Sequence, residues 1–513
     1  EVGAVCTISV YDDSDGQPYN EIWYTTTDGA ITGPPGNSNS LIISNTYENG
    51  KGIIVLKDNV DALQNNAFWS RQTLKTISLP SCILSIGVGA FASCHNLIGE
   101  RCFYSDENLR SVNLPATIVE VGDDAFSQSG ITSVTWPGSC KIIGNRVFSN
   151  CTKLEGVILP EGVETIGERA FSGCTSLASV SLPQTLIEIG PSCFYRSGLV
   201  SVTLPSELTK IGEYGFKQCS DLLDVSILCD IPETALDLFI GCTSLKTLTV
   251  GDNVTAILAQ RAFMQCSALE EVTFGQSLRQ IAQFCFYECT SLKKLVIKDN
   301  LEEIGNSCFF SCTALEDLML PESLKVIGSY AFSNCSSLSS VHLPSSLTQI
   351  SEYTFRGCIS LQSVTIPGSV KIVYENAFNG CNLRAVTIEE GVEQIMDGNF
   401  GTSIFAELVI PSSVMQICPL PVTVRKITCH GMTPPQLNYP YYLIYNTRGS
   451  DYGTLKGLRI TVPASAYDAY VTANGWGGLA WCTYPDQEPD GEFSEPGVPG
   501  RDVTESDDNS FTL

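Results

Sequence analysis

A phenylalanine recurs along most of this chain at a nearly constant spacing, and this repeat limits the fold more than any other feature. It stands at Phe68, Phe91, Phe126, Phe148, Phe171, Phe194, Phe216, Phe239, Phe263, Phe286, Phe309, Phe332, Phe355, Phe378 and Phe400. Almost every interval is 22, 23 or 24 residues, and the exception is the 35 residues between Phe91 and Phe126. That longer interval divides into one coil and a truncated unit, residues 102–109, which lacks a strand half. Units that offer one apolar edge must be stacked between neighbours, so the period predicts a solenoid.

The stretch from Leu154 to Leu177 indicates how one coil is built. Residues 157–159 alternate like a short strand that stops at Pro160, and residues 166–171 are typical of a turn followed by a short helical or 3₁₀ arc. The strands of successive coils should lie parallel, about 4.8 Å apart. We therefore predict an α/β repeat solenoid of the leucine-rich-repeat type, with one parallel strand per coil of about 23 residues and about 15 full coils plus one truncated coil.

The segments outside the repeat differ in composition and predict four regions. Residues 1–51 should form a β-rich N-terminal cap, and residues 52–410 the solenoid. Residues 411–484 should form a C-terminal cap that includes a short helix at Ala464–Ala473, closed by Asn474-Gly475. Residues 485–513 hold nine Asp or Glu and four Pro, which is typical of a solvated acidic tail.

The charge balance disfavours two classes of partner. The chain has 55 acidic and 29 basic residues, for a net charge of -26, which would repel a nucleic-acid backbone or an anionic membrane surface. No apolar run reaches 18 residues, so no membrane insertion is predicted. Because the chain starts at Glu1 without an apolar leader, we expect a mature or trimmed form from which any export signal has been removed.

The coil pattern LxxVxLPxxLxxIGxxAFxxCxxL resembles the BspA-like leucine-rich repeat of secreted and surface proteins from anaerobic bacteria and some protozoan parasites. The resemblance covers about residues 52–410. It extends to residues 21–29 and 44–52, which resemble the family's entry segment, and to residues 460–476, which resemble its exit. The resemblance implies an exported or cell-surface protein that acts in adhesion or ligand capture, including binding to host matrix or to other cells. Fold analogy does not identify the partner.

Cysteine occupies one slot of the coil, three residues after the repeating phenylalanine. The slot is held by Cys94, Cys151, Cys174, Cys219, Cys242, Cys266, Cys289, Cys312, Cys335, Cys358 and Cys381, and by serine at Ser129, Ser197 and Ser403. Because serine is tolerated, we predict free, buried thiols whose pKa is raised by burial. Adjacent coils lie close enough for disulfides, so distance leaves that alternative open.

Two other groups of side chains suggest metal sites but favour simpler interpretations. Cys285 with Cys289, and Cys308 with Cys312, imitate zinc half-sites, yet Cys285 and Cys308 stand where other coils carry an inward alanine. The acidic turn at Asp12, Asp13 and Asp15 could hold calcium, but the alternative is an exposed acidic turn. No catalytic motif is present, so we predict a non-enzyme without cofactor or metal.

Two rows of residues should face solvent on the sheet, on either side of the inward strand residue. Most members are serine or threonine, but the character changes between 271 and 342. There the rows hold Glu271, Lys294, Val296, Asp317, Met319 and His342, an apolar stripe beside charges, as in protein-binding patches. Neutral drift on a solvent face is the alternative.

These patterns predict an exported or cell-surface, non-enzymatic protein that captures a macromolecular ligand on the sheet face. The expected ligand is a host matrix protein, another cell-surface protein or a glycan. The alternatives are a glycan-binding accessory protein, disfavoured by the near absence of aromatic residues from the sheet rows, and a structural spacer. The oligomeric state stays open.

Overall fold

The computed structural model describes residues 7–8, 20–26, 28–31, 42–57, 62–64, 67–68, 74–78, 85–86, 111–113, 120–400, 403–421, 423–437, 443–444 and 457–486. The chain divides into two compact units, Glu1–Ser339 and Ser340–Leu513.

The first unit contains twenty-six described strands. In chain order they are β1 (Thr7–Ile8), β2 (Glu21–Thr26), β3 (Ile42–Glu48), β4 (Lys51–Leu56), β5 (Ala62–Leu63), β6 (Leu74–Ser78), β7 (Ser85–Ile86), β8 (Ser111–Asn113), β9 (Glu120–Val121), β10 (Ser133–Thr135), β11 (Ile142–Ile143), β12 (Gly156–Ile158), β13 (Thr165–Ile166), β14 (Ser179–Val180), β15 (Glu188–Ile189), β16 (Ser201–Leu204), β17 (Lys210–Ile211), β18 (Asp224–Ile227), β19 (Thr247–Val250), β20 (Ala256–Ile257), β21 (Glu271–Thr273), β22 (Gln280–Ile281), β23 (Lys294–Val296), β24 (Glu303–Ile304), β25 (Asp317–Met319) and β26 (Val326–Ile327).

Most coils contribute two strands, one to each of two parallel ladders. In the first ladder β16, β18, β19, β21 and β23 pair in that order, each with the next coil's strand. In the second ladder β11, β13, β15 and β17 pair in the same way, as do β20, β22, β24 and β26. The predicted solenoid of stacked coils is confirmed, and the second ladder is an addition to the single strand per coil that we expected.

The repeating phenylalanines form a continuous stack inside the first unit. From Phe126 to Phe332 the ring centroids of successive coils lie 4.9–5.3 Å apart, with the planes within 13° of parallel. Every one of these rings is buried. Burial of one such side chain contributes about 1.5–3 kcal/mol to stability, so the stack is the spine of the core.

The segments around the repeating phenylalanines, which we call the arcs, are successive turns and not helices in residues 120–400. In one coil Arg169 (φ 53°) and Gly173 (φ 74°) both adopt left-handed conformations, on either side of Phe171. The turns close through bonds from the Ser172 amide to the Arg169 carbonyl (3.1 Å) and from the Cys174 amide to the Phe171 carbonyl (3.3 Å). Left-handed residues prevent the chain from continuing a helix, so the expected helical or 3₁₀ arcs are replaced by turns.

The N-terminal strands extend the first ladder. Strands β2, β3 and β4 are antiparallel, and β2 also pairs antiparallel with β6. Strand β1 lies between β6 and β8 and pairs with both in parallel. It therefore occupies the ladder position between these two strands. Residues 87–110, which include the truncated unit, lie outside the described residues.

The second unit repeats the coil architecture and ends in a small helical segment. Its strands are β27 (Ser340–His342), β28 (Gln349–Ile350), β29 (Ser363–Ile366), β30 (Ile372–Val373), β31 (Ala385–Ile388), β32 (Gln394–Ile395), β33 (Glu407–Ile410), β34 (Gln416–Ile417), β35 (Lys426–Cys429), β36 (Gln436–Leu437), β37 (Arg459–Val462) and β38 (Thr483–Pro485), with a 3₁₀ turn at Ala464–Ala466, helix α1 (Tyr467–Thr472) and a 3₁₀ segment at Gly477–Cys482.

Helix α1 is anchored to the preceding loop by two buried aromatic residues. The Tyr470 hydroxyl donates to the Gly431 carbonyl at 3.1 Å, and the Trp476 indole N–H donates to the Pro435 carbonyl at 2.8 Å. Gly475 follows the helix with φ 78°. The predicted short helix is confirmed over Tyr467–Thr472, whereas Ala464–Ala466 form a 3₁₀ turn and the extended Ala473 ends the helix before the glycine.

Candidate binding surfaces

The outward residues of the first ladder form two rows that are aligned by strand register. Thr203, Ser226, Thr249, Thr273 and Val296 are successive partners along one row. Ser201, Asp224, Thr247, Glu271 and Lys294 are successive partners along the other. The inward residue between them is buried in β16 through β21. The alternation predicted from the sequence therefore describes this face correctly.

Five of the six predicted binding residues lie in the first unit, and we call them the sheet patch: Glu271, Lys294, Val296, Asp317 and Met319. Met319 is 71% exposed, the largest exposure among the large hydrophobic residues that the structure describes. Lys294 and Asp317 are exposed, whereas Glu271 and Val296 are half-buried. His342 is exposed on β27 in the second unit.

The apolar part of the sheet patch is widest on strand β23. Leu295 and Ile297, on either side of Val296, point inward by the alternation of the strand, yet both are only half-buried. The equivalent residues of the preceding coil, Val272 and Phe274, are buried. Strand β23 thus exposes more apolar surface than the coil before it.

Charged side chains stand beside this apolar surface. Lys294 forms an ion pair with Glu271 on the adjacent strand. The Ser339 hydroxyl lies 3.5 Å from Asp317 Oδ1. Exposed ion pairs contribute little to stability, typically below about 1 kcal/mol. These charges are therefore available to a ligand without a large cost to the fold.

The cysteine slot lies in the core and not on a binding surface. All eighteen described cysteines are free thiols and buried. The Cys174 thiol donates to the Phe148 carbonyl of the preceding coil at 3.0 Å, and Cys266 contacts the Phe239 carbonyl in the same way at 3.4 Å. Burial raises the pKa of the Cys266 thiol to about 12. These thiols act as small hydrogen-bond donors inside the stack.

The cysteines whose spacing imitates zinc half-sites are also buried in the core. Cys289 and Cys312 donate to the carbonyls of Phe263 and Phe286 at 3.2 and 3.3 Å. Burial raises the pKa of the Cys285 and Cys308 thiols well above the ordinary value. Within the described ranges, no three His, Cys, Asp or Glu side chains are grouped so that they could hold a metal ion.

Two further expectations concern calcium and the membrane. Asp12, Asp13 and Asp15 lie outside the described residues. Among the helices that the structure describes, none has the length and apolar character needed to cross a bilayer.

A second surface, which was not predicted from the sequence, lies on the arcs. The residue directly after the repeating phenylalanine is large and half-buried in six consecutive coils, and we call this row the arc strip: Tyr195, Lys217, Ile240, Met264, Tyr287 and Phe310. The same position holds a buried serine in coils before and after it, at Ser127, Ser149, Ser172 and Ser333. Aligning the coils on the repeating phenylalanine would have revealed the change, because it stands one residue beyond the marker.

One family model matches most of the chain. Its description is "BspA type Leucine rich repeat region (6 copies)", and it matches residues 41–98, 95–167, 141–267, 237–358 and 326–419. None of the curated proteins matches the chain.

Several solved structures are similar to the chain at low sequence identity. A leucine-rich repeat protein from Bacteroides ovatus is 20% identical, with a TM-score of 0.47, over 83% of this chain and 94% of that one. A leucine-rich cell surface protein from Faecalibacterium prausnitzii is 21% identical, with a TM-score of 0.29, over 78% and 86% of the two chains. A leucine-rich repeat protein from T. pallidum is 28% identical, with a TM-score of 0.26, over 40% and 76%.

Proposed function

The chain belongs to the BspA-type leucine-rich repeat family, and we propose that it is an exported or cell-surface binding protein without enzymatic activity. Its ligand is a protein, either of a host matrix or of another cell surface, and it binds on the outward face of the first ladder. The family resemblance supports export and adhesion. The absence of a catalytic motif from the sequence supports a binding role over catalysis.

The observation that carries this proposal is the exposed apolar surface around Met319 and strand β23. Ordinary coils of this face present serine and threonine, which bind water well. Val296 in this row and Met319 on strand β25 of the next coil are apolar instead, and ion-paired or exposed charges stand near them. Apolar anchors surrounded by polar groups are the usual composition of the centre and rim of a protein interface.

The test is a binding array that carries matrix proteins and, separately, glycans. We expect a saturable protein hit. The double variant Val296→Asp, Met319→Asp should weaken that hit by about tenfold or more, because it places two charges at the centre of the interface.

A matched control is available on the same row. Thr203→Asp with Thr249→Asp introduces the same charges at exposed strand positions outside the sheet patch, and it should leave the affinity within about twofold. Equal effects of the two double variants would show that the sheet patch is not the binding site. The variant His342→Asp tests separately whether the second unit contributes to ligand binding.

Two alternatives have different outcomes on the same array. Hits on glycans alone would favour a glycan-binding accessory protein, and no hits on either array would favour a structural spacer.

A further inference from the structure

The six residues of the arc strip lie side by side because the backbones of successive arcs are hydrogen-bonded to one another. The Arg196 amide donates to the Lys217 carbonyl at 3.0 Å, and the Gly241 amide to the Met264 carbonyl at 3.0 Å. The same bond links the Glu288 amide to the Phe310 carbonyl at 2.8 Å. Each coil therefore places one strip residue next to the strip residue of its neighbour, about 4.8 Å away.

One end of the arc strip is aromatic. The rings of Tyr287 and Phe310 are stacked, with centroids 4.7 Å apart and planes within 7°. Phe284 lies against Tyr287 at 6.0 Å. All three side chains are half-buried, so their rings are fixed by neighbours and still reach solvent.

At the other end of the arc strip stand two basic side chains, Lys217 and Arg196. The Lys217 ammonium lies 4.4 Å from the centre of the Tyr214 ring, and the Arg196 guanidinium 5.0 Å from that of Tyr195. Arg196 Nε and the Tyr195 hydroxyl both donate to Gln218 Oε1, at 2.9 and 3.3 Å. These contacts hold the cations beside the tyrosine rings, and the bond to Gln218 uses only one of the five N–H donors of the guanidinium.

The two cations differ from the basic residues of the first unit that lie in ion pairs. Ion pairs bind Lys141, Arg146, Arg169, Lys210, Arg261, Arg279, Lys294 and Lys325 in the first unit. Over the part of the chain that the structure describes, neither Arg196 nor Lys217 forms one. Lys217 of the arc strip and Arg196 beside it thus carry positive charges that lie outside the ion pairs of the described residues, on a protein whose net charge is -26.

We propose that the arc strip binds an oligosaccharide that ends in an acidic sugar. The carboxylate would lie at Arg196 and Lys217, because a guanidinium binds a carboxylate through two parallel hydrogen bonds. Neutral sugars would follow along the strip and pack their C–H groups against the parts of the Tyr287 and Phe310 rings that their mutual stacking leaves uncovered.

Two features favour this ligand over other polymers. Beside the strip, Gln218 keeps its amide N–H groups as donors, and Gln265, whose Nε2 donates to Glu288 at 3.1 Å, keeps its amide oxygen as an acceptor for sugar hydroxyls. The positive charge is confined to one end of the strip, whereas a single-stranded nucleic acid carries a phosphate at every nucleotide and needs positive charge along its whole path. The surface is distinct from the sheet patch, so this inference does not depend on the proposed protein ligand.

The test uses the full chain and a matched pair of probes, a linear sialylated pentasaccharide and the same tetrasaccharide without sialic acid, in titration calorimetry. We expect the sialylated probe to bind about tenfold more tightly, and the difference to shrink as salt is added. The double variant Arg196→Gln, Lys217→Gln should reduce the affinity for the sialylated probe to that for the neutral one. Tyr287→Ala with Phe310→Ala should weaken both probes.

The matched control is Lys246→Gln with Lys293→Gln, which removes the same charge from exposed lysines outside the arc strip and should leave both affinities unchanged. The sheet-patch variant Val296→Asp, Met319→Asp should also leave them unchanged. Circular dichroism and the thermal midpoint show whether each variant is folded. No binding of either probe, or a preference for sialic acid that survives Arg196→Gln with Lys217→Gln, would overturn the proposal. Tighter binding of an oligothymidylate through the same residues would also overturn it.

Discussion

At the scale of single residues, the cysteine slot is explained by hydrogen bonding and size. The Phe239 carbonyl accepts from the Cys242 amide of its own coil at 3.2 Å and from the Cys266 thiol of the next coil at 3.4 Å. A serine hydroxyl fits the same slot, and Ser129 Oγ lies 3.5 Å from Cys151 Sγ of the next coil. The slot therefore requires a small donor and not sulfur chemistry.

The buried thiols should make the protein less stable as the pH rises. Burial raises the pKa of Cys151, Cys266 and Cys335 to about 12, whereas an unfolded thiol has a pKa of about 8.5. Between these values the unfolded state loses protons that the folded state keeps. The stability that these groups contribute is thus fully present below about pH 8.5 and is lost as the pH rises towards 12, by up to about 1.4 kcal/mol per pH unit for each thiol.

Urea unfolding under reducing conditions at pH 7, 9 and 10 measures this effect. The triple variant Cys151→Ser, Cys266→Ser, Cys335→Ser removes three titrating thiols while keeping a donor in each slot. We expect a shallower decline of the free energy of unfolding with pH in the variant than in the parent chain. Parallel declines would mean that these thiols do not control the alkaline behaviour.

At the scale of the elements, the arcs depend on left-handed residues, most of which are not glycine. In one arc Ser192 has φ 55° and Arg196 also has φ 55°. A left-handed conformation costs a non-glycine residue about 1–2 kcal/mol, and this cost recurs in coil after coil. The structure tolerates this conformational cost because each arc is held between two neighbours by backbone hydrogen bonds.

Replacement of such a residue by glycine should therefore stabilise the protein. We expect Ser192→Gly to raise the free energy of unfolding by about 0.5–1 kcal/mol, the strain released minus the entropy that glycine adds to the unfolded chain. The same change at Ser201, which is extended in β16, should lower it by about 0.5–1 kcal/mol. Thermal and urea unfolding of the two variants give the comparison, and a loss of stability in both would contradict the strain argument.

Some features of the strands and arcs could be predicted from the sequence, and others could not. The positions of Phe171 and Cys174, and the outward direction of Ile158, follow from patterns that are local and repeated in every coil. Strand β13 has only two residues, too few for an alternation to be visible. The pairing of β1 with β6 and β8 joins segments about seventy to one hundred residues apart, and no local pattern encodes such a pairing.

The two candidate surfaces, the sheet patch and the arc strip, also differ in how far they could be predicted from the sequence. The sheet patch was predictable because strand alternation decides which side of Met319 and Val296 faces solvent, although it could not show that Val296 is half-buried. The arc strip could have been found by aligning the coils, because equivalent positions of adjacent coils lie next to each other. A helical interpretation of the arcs could not show that the side chains of Tyr287 and Phe310 are half-buried, because a helix would have placed them in other directions.

At the scale of the whole molecule, a stack of coils should behave as a chain of nearest-neighbour interactions. Phe216 lies 5.0 Å from Phe194 and 4.9 Å from Phe239, and it has no ring contact with the more distant Phe309. The backbone ladder follows the same rule there, since β18 pairs only with β16 and β19 of the adjacent coils. A destabilising substitution in one coil should thus lower the local stability mainly of that coil and of the two coils beside it.

Phe216→Ala tests this expectation. Truncation of a buried phenylalanine costs about 3–5 kcal/mol, part of it from the cavity that remains. Native-state hydrogen exchange should show the largest loss of amide protection in the arcs around Phe194, Phe216 and Phe239, and a smaller loss around Phe309. Phe310→Ala is the matched control: it is the same substitution on a half-buried ring outside the stack, and it should leave protection near the wild-type level. If Phe216→Ala lowered protection equally through the whole first unit, the coils would unfold as a single cooperative body, and the nearest-neighbour description would have to be abandoned.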